Sequence, residues 1–233
     1  MTDTSSYHVL TVDYRGFGHS TGIPSEVGLI TDGVALVDWA MHVAGISPDR
    51  IVLLGQSLGT AVASGVADHY AEKGVEFAGI VLVAGFSHLP TMLSEYRIAG
   101  IVPVLAPFRA SPALLRIFGR FVVDKWHSSA RIANIVRLTK GRLRLCILHA
   151  KNDRDIPWTE DNKLFKAAVM DKAGITDDDA FEAWKEERTI RKGDNAFVTT
   201  WSAEPNIHIR QELFPYGGEL LLTLHAEYDR TAG

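Results

Sequence analysis

The sequence predicts an α/β fold built on a mostly parallel, doubly wound sheet. Apolar runs alternate along the chain with segments of helical periodicity, which is the pattern of βαβ units. Two of these runs, 77–84 and 142–150, are almost continuously apolar, as expected for parallel strands that are covered on both faces. Of the 233 residues, 46% are hydrophobic and 22% are charged, which is ordinary for one globular domain. We therefore expect a single domain over residues 1–233.

The first strand is expected at His8–Asp13, because this short run is rich in β-forming residues. It is followed by a glycine-rich segment, 14–22, that predicts an irregular loop. Apolar residues spaced by three and four then predict an amphipathic helix that begins after Ser25, a plausible N-cap, and ends near Ala44.

The next elements repeat this order of strand and helix. A strand is expected at 51–54, followed by a helix from Leu58 to Lys73 that Gly74 ends. The many small residues of this helix suit close packing on a sheet. The third and fourth strands are the runs 77–84 and 142–150.

Residues 86–141 separate the third strand from the fourth, and this segment is too long for a simple crossover, so it predicts a helical cap. Beyond the fourth strand, one helix is expected to open at 159–161. A second is expected to run from a capping-box-like start at Thr176 and Asp179 to about Arg188. The last strand is expected at 207–214.

Charge and hydropathy exclude several functional classes. A formal net charge of −4 gives no electrostatic attraction to a phosphate backbone, so no nucleic-acid partner is expected. The N-terminus lacks the basic start and apolar core of a signal peptide, and no apolar stretch approaches the ~20 residues that span a bilayer. A soluble or peripheral protein is expected. Cys146, the single cysteine, lies in an apolar run and is expected to be a buried hydrophobe.

The pentapeptide Gly55-Gln56-Ser57-Leu58-Gly59 joins a predicted strand to a predicted helix, which is the context of a nucleophile elbow. Glycines two residues before and two after the serine are expected because the sharp turn leaves no room for β-carbons. The serine hydroxyl would stand at the carboxyl edge of the sheet, where open α/β sheets bind their ligands. The backbone N–H of Leu58, at the helix N-terminus, is expected to donate to an oxyanion.

A serine nucleophile needs a histidine to remove its proton and a carboxylate to orient that histidine. Asp153 and Asp155 both follow the fourth strand, at the same predicted sheet edge as Ser57. Asp153 is the better candidate, because Asp155 already leads into the next helix. The alternative is that Asp153 pairs with a neighbouring basic residue in a surface turn. The chain order of serine, then aspartate, then histidine agrees with a known arrangement of this triad.

These motifs resemble the membrane-anchored monoacylglycerol and lysophosphatidylserine lipase branch of the α/β-hydrolases. The similarity covers most of residues 7–170 and is carried by four segments: Val12–Ser20, Pro24-Ser25-Glu26, Gly55–Gly59, and Leu148-His149-Ala150 with Asp153 and Ile156-Pro157. The resemblance implies an α/β-hydrolase fold, a glycerolipid ester substrate, and neither cofactor nor metal. It also implies that the cap forms a wall for the acyl chain.

The chain departs from this branch at both ends. The family has further strands, a loop with a second oxyanion donor and a membrane anchor before the strand expected at His8, so the chain resembles an N-terminally truncated form. One lost oxyanion donor would cost about 3 kcal/mol of transition-state stabilisation. The family places its histidine just after a glycine pair, but here Glu219 follows Gly217-Gly218, and the next histidine is His225.

His225 is therefore the candidate base, and the other histidines are weaker candidates. His208 is expected to be structural because it lies within the last strand, and His19 and His88 have no neighbouring carboxylate that would orient them.

The leading hypothesis is a serine esterase or lipase that uses Ser57, Asp153 and His225 on a monoacylglycerol or lysophospholipid. The alternative is a catalytically impaired remnant of the fold that at most binds apolar ligands. A peptidase on the same scaffold is a third hypothesis that no feature favours. Apolar residues of the cap, such as 98–108, could line an acyl pocket or contact a membrane surface, although such spacing is more often simple core.

Overall fold

A computed structural model of the chain describes residues 7–90, 97–98, 102–103, 124–193, 195–204 and 206–217. The helices in these ranges are α1 (Glu26–His42), α2 (Leu58–Ala71), α3 (Ser128–Leu138), α4 (Thr159–Ala173) and α5 (Asp178–Glu186), with a 3₁₀ turn at Pro48–Arg50. The strands are β1 (Val52–Gln56), β2 (Gly79–Val83), β3 (Arg97–Ile98), β4 (Val102–Pro103), β5 (Leu143–Ala150), β6 (Thr189–Arg191), β7 (Phe197–Ala203) and β8 (Ile207–Phe214).

Six strands form one mixed sheet in the order β1-β2-β5-β8-β7-β6. The first four strands are parallel to one another. β7 is antiparallel to both of its neighbours, β8 and β6. The parallel register pairs Gly55 with Leu82 and Leu82 with Ile147, which aligns the carboxyl ends of these strands. The predicted α/β fold with a mostly parallel sheet is confirmed. β3 and β4 form a separate antiparallel pair inside the predicted cap.

The main core lies between one face of this sheet and the helices. Alternate strand residues such as Leu53, Leu82 and Ile147 join buried residues of α1–α5 in a single cluster. α3 falls within the segment predicted as cap, yet it packs between α2 and α4 in this helical layer. On the other face, Val83 and Leu148 belong to a smaller apolar cluster.

Local sequence explains where the helices begin and end. The Ser25 hydroxyl accepts a hydrogen bond from the N–H of Gly28 and caps α1, as predicted. Gly174 ends α4 in the left-handed conformation, which glycine adopts without steric cost. The cap of α5 is Asp177, whose carboxylate accepts from the N–H of Ala180. The prediction that Thr176 and Asp179 form the cap is therefore wrong by one residue, because the carboxylate of Asp177 reaches this N–H.

The first predicted strand is wrong, because residues 8–13 form no strand. They lie on the surface, and the side chain of Val9 is 87% exposed. A strand requires a neighbour for its backbone hydrogen bonds, and no described strand pairs with this segment. The predicted loop that follows is irregular, and Arg15 fixes it to α1 through an ion pair with Asp32 at 2.6 Å.

Two strands of the six-stranded sheet, β6 and β7, were not predicted from the sequence, and neither was the short pair of β3 and β4. The sequence of β7, Phe-Val-Thr-Thr-Trp-Ser-Ala, is rich in β-branched and aromatic residues, and this signal could have identified it. β7 lies between β6 and β8, so it extends the parallel sheet on the side away from β1.

Two other predictions fall wholly or partly outside the described residues: most of the cap (91–96, 99–101 and 104–123) and the C-terminal segment that contains His225. Within the described part of the chain, no helix combines the length and apolar character needed to cross a membrane.

Candidate active site

The candidate site lies at the carboxyl edge of the parallel strands. Ser57 directly follows β1, and Asp153 follows β5 by three residues. Backbone hydrogen bonds continue across the strand ends, from Ser57 N–H to the carbonyl of Val83 at 3.0 Å and from Ala84 N–H to the carbonyl of Leu148 at 2.8 Å. β2 alone separates β1 from β5, so the two strands lie about 10 Å apart. The structure thus places Ser57 and Asp153 at one edge of the sheet, as the sequence predicted.

Ser57 has the strained backbone expected of a nucleophile elbow. Its φ of 52° and ψ of −121° lie in a region that residues with a side chain rarely adopt. The turn is held by the Thr60 N–H and hydroxyl, which both donate to the carbonyl of Ser57, at 2.9 and 2.6 Å. The Ser57 side chain is exposed and caps no N–H of α2, so its hydroxyl is available for chemistry.

The two glycines of the motif have different roles. A β-carbon at Gly55 would lie 2.3 Å from the carbonyl oxygen of Gly59, which is an impossible approach to backbone. A β-carbon at Gly59 would meet no described atom within 4 Å. The expectation that both glycines are required for space therefore holds for Gly55 and is wrong for Gly59, because no atom of the described residues would meet the added β-carbon there.

Leu58 is the first residue of α2, so its N–H has no acceptor within the helix. The helix dipole adds partial positive charge at this point. An oxyanion that forms next to Ser57 would find a donor there, which is the role predicted for Leu58.

Asp153 is held by a turn of its own loop. Its Oδ1 accepts hydrogen bonds from the N–H groups of Asp155 and Ile156, at 2.9 and 3.0 Å. Burial alone would raise the pKa of Asp153, but the His149 imidazole and these two N–H groups outweigh burial and lower it. Asp153 is therefore ionised at neutral pH, whereas Asp155 contributes a backbone donor to this turn. No pairing of Asp153 with Lys151 or Arg154 is found among the described ion pairs.

His149 also belongs to this site, although its position in the sequence did not predict this. Its side chain is 1% exposed, and its Nε2 lies 2.9 Å from the Ile156 carbonyl and 3.5 Å from Oδ2 of Asp153. Its Nδ1 lies 3.1 Å from Oδ1 of Asp161, a carboxylate on α4 that is also 1% exposed. This last contact is close but falls short of hydrogen-bond geometry. Burial by itself would lower the pKa of His149, but the charges of Asp161 and Asp153 raise it to about 10.

Glu160, next to Asp161 on α4, is fully buried and has a separate set of partners. Its Oε2 accepts from the backbone N–H and the hydroxyl of Ser87, at 2.7 and 2.6 Å, and its Oε1 pairs with Lys163. Ser87 follows β2, so Glu160 fixes this loop to α4. No local pattern predicts this contact, because it joins residues that are 73 positions apart.

Three other described histidines have partners of their own, and none of these partners is Ser57 or Asp153. His208 on β8 contacts Ser202 and Asn206, at 2.8 and 2.9 Å, in agreement with the predicted structural role. His88 stacks on His127 with ring centroids 4.5 Å apart, and burial followed by the charge of His127 lowers its pKa. His19 donates its backbone N–H to Asp13. Within the described ranges, no group of three or more His, Cys, Asp or Glu side chains could hold a metal ion.

Two curated relatives are similar to most of this chain. Human "Protein ABHD12B" is 37% identical over 166 residues, which cover 70% of this chain and 42% of that protein. The lysophosphatidylserine lipase ABHD12 of Rattus norvegicus is 30% identical over 168 residues, which cover 72% of this chain and 39% of that protein. The chain thus spans about two fifths of the length of these relatives.

Among solved structures, an alpha-beta hydrolase from Vibrio vulnificus has 20% sequence identity and a TM-score of 0.49, over 69% of this chain and 51% of that one. The profile of the alpha/beta hydrolase family matches residues 2–219, which is most of the sequence. The chain therefore belongs to the alpha/beta hydrolase family.

Proposed function

We propose that this protein is a serine hydrolase that cleaves carboxylic esters through an acyl-enzyme on Ser57. The observation that carries the proposal is the strained, exposed Ser57 between β1 and α2, with an ionised Asp153 at the same sheet edge. Backbone strain of this kind persists only where the surrounding structure imposes it, and it is concentrated at functional sites.

The proposed reaction uses residues in the roles that the sequence predicted. Ser57 Oγ attacks the ester carbonyl while His225 takes its proton, Asp153 orients the imidazole, and the Leu58 N–H stabilises the oxyanion. The tetrahedral intermediate expels the alcohol, which receives the proton from the histidine. Water, deprotonated by the same histidine, then attacks the acyl-enzyme and releases the carboxylic acid with Ser57 restored.

A monoacylglycerol or lysophospholipid is the proposed substrate class. Support comes from the resemblance of the motifs around Ser57 and Asp153 to the lipase branch and from the lysophosphatidylserine lipase of rat among the relatives. The cap is the proposed contact for the acyl chain and for a membrane surface, because its apolar stretch 98–108 suits both roles.

The experiment that tests this function measures fatty-acid release from a monoacylglycerol and from lysophosphatidylserine by the purified chain. Ser57→Ala should lower the rate about 10³-fold or more, because the nucleophile is lost. Ser47→Ala is the matched control, since Ser47 is an exposed serine before the 3₁₀ turn whose side chain caps no N–H. This variant should hydrolyse both lipids at the wild-type rate.

Two results would contradict the proposal. Equal rates for wild type and Ser57→Ala would show that Ser57 is not the nucleophile. A folded protein that binds the lipids without hydrolysing them would instead be the impaired, ligand-binding form of the fold. An aminoacyl amide belongs in the same assay, because cleavage that rivals the lipid esters would indicate a peptidase.

A further inference from the structure

His149 lies beside the candidate site and its side chain is almost completely buried, yet the proposed reaction gives it no role. It lies one residue before the end of β5, and its ring is 1% exposed. Its Nε2 is 2.9 Å from the carbonyl oxygen of Ile156, which can only accept a hydrogen bond. Nε2 therefore carries a proton and donates it to this carbonyl.

The second ring nitrogen faces a buried carboxylate. Nδ1 lies 3.1 Å from Oδ1 of Asp161, a carboxylate closed to solvent whose other polar neighbour is the backbone N–H of Gly85. Burial raises the pKa of Asp161 and the charge of His149 opposes that rise, so an ionised carboxylate at this position requires an opposite charge beside it. A proton on Nδ1 supplies that charge, and the ring is then an imidazolium.

We propose that His149 is an imidazolium clamped between Asp161 and Asp153, and that it is a positioning residue that fixes the Asp153 carboxylate for the proposed ester hydrolysis. The inference rests on the proposed function. His149 cannot itself be the base for Ser57, because one nitrogen faces the Ile156 carbonyl, the other faces Asp161, and the ring is closed to solvent.

The contacts of Asp153 explain how this positioning works. Oδ1 is held by two backbone N–H groups, and Oδ2 lies 3.5 Å from Nε2 of His149. Both oxygens are thus fixed from the protein side, while 21% of the side chain remains exposed to receive a second imidazole. Without the cation, Oδ2 loses its partner and the carboxylate can rotate about its side-chain bond.

The groups that face this cluster favour the charged ring. Asp153 comes from the loop after β5, and Asp161 and Glu160 come from α4, although Glu160 is already paired with Ser87 and Lys163. The charge of Asp161 also acts on Lys185 of α5, whose Nζ donates to Oδ1 of Asn162 at 2.6 Å. Two carboxylates therefore act on His149 directly, and together they raise its pKa.

The protonation of His149 can be tested by NMR of the full chain labelled with ¹⁵N-histidine. The resonance is assigned from its loss in His149→Gln, and both ring nitrogens should remain protonated from pH 5.5 to 8. In Asp161→Asn the titration midpoint should fall by about one unit or more, because one of two neighbouring charges is removed. A ring that titrates near 6.5 in the wild type, or that is neutral at pH 7, would overturn the proposal.

The positioning role is tested by measuring kcat and KM for hydrolysis of a p-nitrophenyl ester by the wild type and the variants. The concentration of active sites in each protein is determined by titration with a reagent that acylates or phosphonylates the nucleophile. His149→Gln should lower kcat per active site about tenfold or more and change KM less than twofold. In Asp161→Asn, kcat should fall as pH rises through the lowered titration midpoint of His149. The wild type should show no such fall over the same pH range. His42→Gln is the matched control, since His42 is an exposed histidine that also lies four residues from an aspartate, Asp38.

These outcomes separate the two proposals. If wild type hydrolyses the ester but His149→Gln and Asp161→Asn keep the wild-type kcat per active site, the positioning role is overturned and the proposed function stands. If wild type neither hydrolyses the ester nor reacts with the titrant, the proposed function fails, and with it the role of His149 in catalysis. A structural role alone would reduce the number of active sites without changing kcat per site or its pH dependence.

Discussion

At the scale of single residues, the turn at Ser57 depends more on the lack of a β-carbon at Gly55 than on the serine itself. Gly55 allows the carbonyl of Gly59 to approach closely, and this approach lets the chain turn from β1 into α2. The strain at Ser57 is a consequence of that turn. The second glycine of the motif has no comparable steric role among the described residues.

The two glycines should consequently respond differently to alanine. Gly55→Ala places a β-carbon 2.3 Å from backbone and should lower the free energy of unfolding by about 3 kcal/mol, or prevent folding. Gly59→Ala should change it by less than about 1 kcal/mol, in the stabilising direction, because alanine favours the helix. Urea denaturation of both variants measures this difference, and equal losses would refute this account of the turn.

The protonation of His149 also predicts how stability depends on pH. Its pKa is about 10 in the folded protein against an ordinary 6.5. The folded state therefore holds the proton more tightly, and the stabilisation is complete below pH 6.5 and is lost as pH rises towards 10. Burial lowers the pKa of Lys185 to about 8 in the folded protein. The contribution of Lys185 to stability therefore increases as pH rises from 8 to its ordinary pKa of 10.5.

Subtracting the free energy of unfolding of His149→Gln from that of the wild type cancels the contribution of Lys185, which both proteins share. This difference should shrink as pH rises above 6.5, by at most about 1.4 kcal/mol per pH unit. Denaturation at pH 6, 7, 8 and 9 measures it, with His42→Gln expected to follow the wild type. A difference that is independent of pH would mean that His149 is not a stabilised cation.

At the scale of elements, the sequence predicted those strands that have parallel neighbours on both sides. β2 and β5 read as continuous apolar runs because both of their faces are covered. The segment 8–13 has a similar local pattern but no partner strand, and pairing is a property of the fold that a single segment cannot reveal. β7 has a composition typical of a strand, but its hydroxyl-bearing residues interrupt the apolar run that marks the buried parallel strands.

One contact between elements is specific enough to test. Glu26, at the start of α1, accepts from the N–H of Trp126 at 2.9 Å and pairs with Arg131 of α3 at 2.6 Å, with 13% of its side chain exposed. Glu26→Gln should lower the free energy of unfolding by about 2 kcal/mol, because Arg131 then loses its charged partner. Glu187→Gln, which removes the exposed partner of Arg188, should change it by less than about 0.5 kcal/mol. Equal effects in urea denaturation would show that this contact contributes little to stability.

At the scale of the whole molecule, the candidate site divides into a part that the sequence could predict and a part that it could not. Ser57 and Asp153 each follow a strand within a few residues, so local pattern and the rules of parallel sheets bring them to one edge. The cluster of His149 and Asp161 forms only because α4 packs back on β5, and no local signal predicts which buried groups then meet. His149 lies within one of the segments that resemble the lipase branch, but the apolar residues beside it in the sequence do not indicate a charged ring.

If Ser57 is the nucleophile of an ester hydrolase, a reagent that traps serine nucleophiles must form its covalent adduct on this residue. The purified chain, incubated with a fluorophosphonate, should gain one phosphonyl group, and peptide mass spectrometry should place this group on Ser57. Asp153→Asn should react at least about 10²-fold more slowly, because the histidine that activates the serine is no longer oriented. A folded wild-type protein that forms no adduct, or forms it on another residue, would contradict the account.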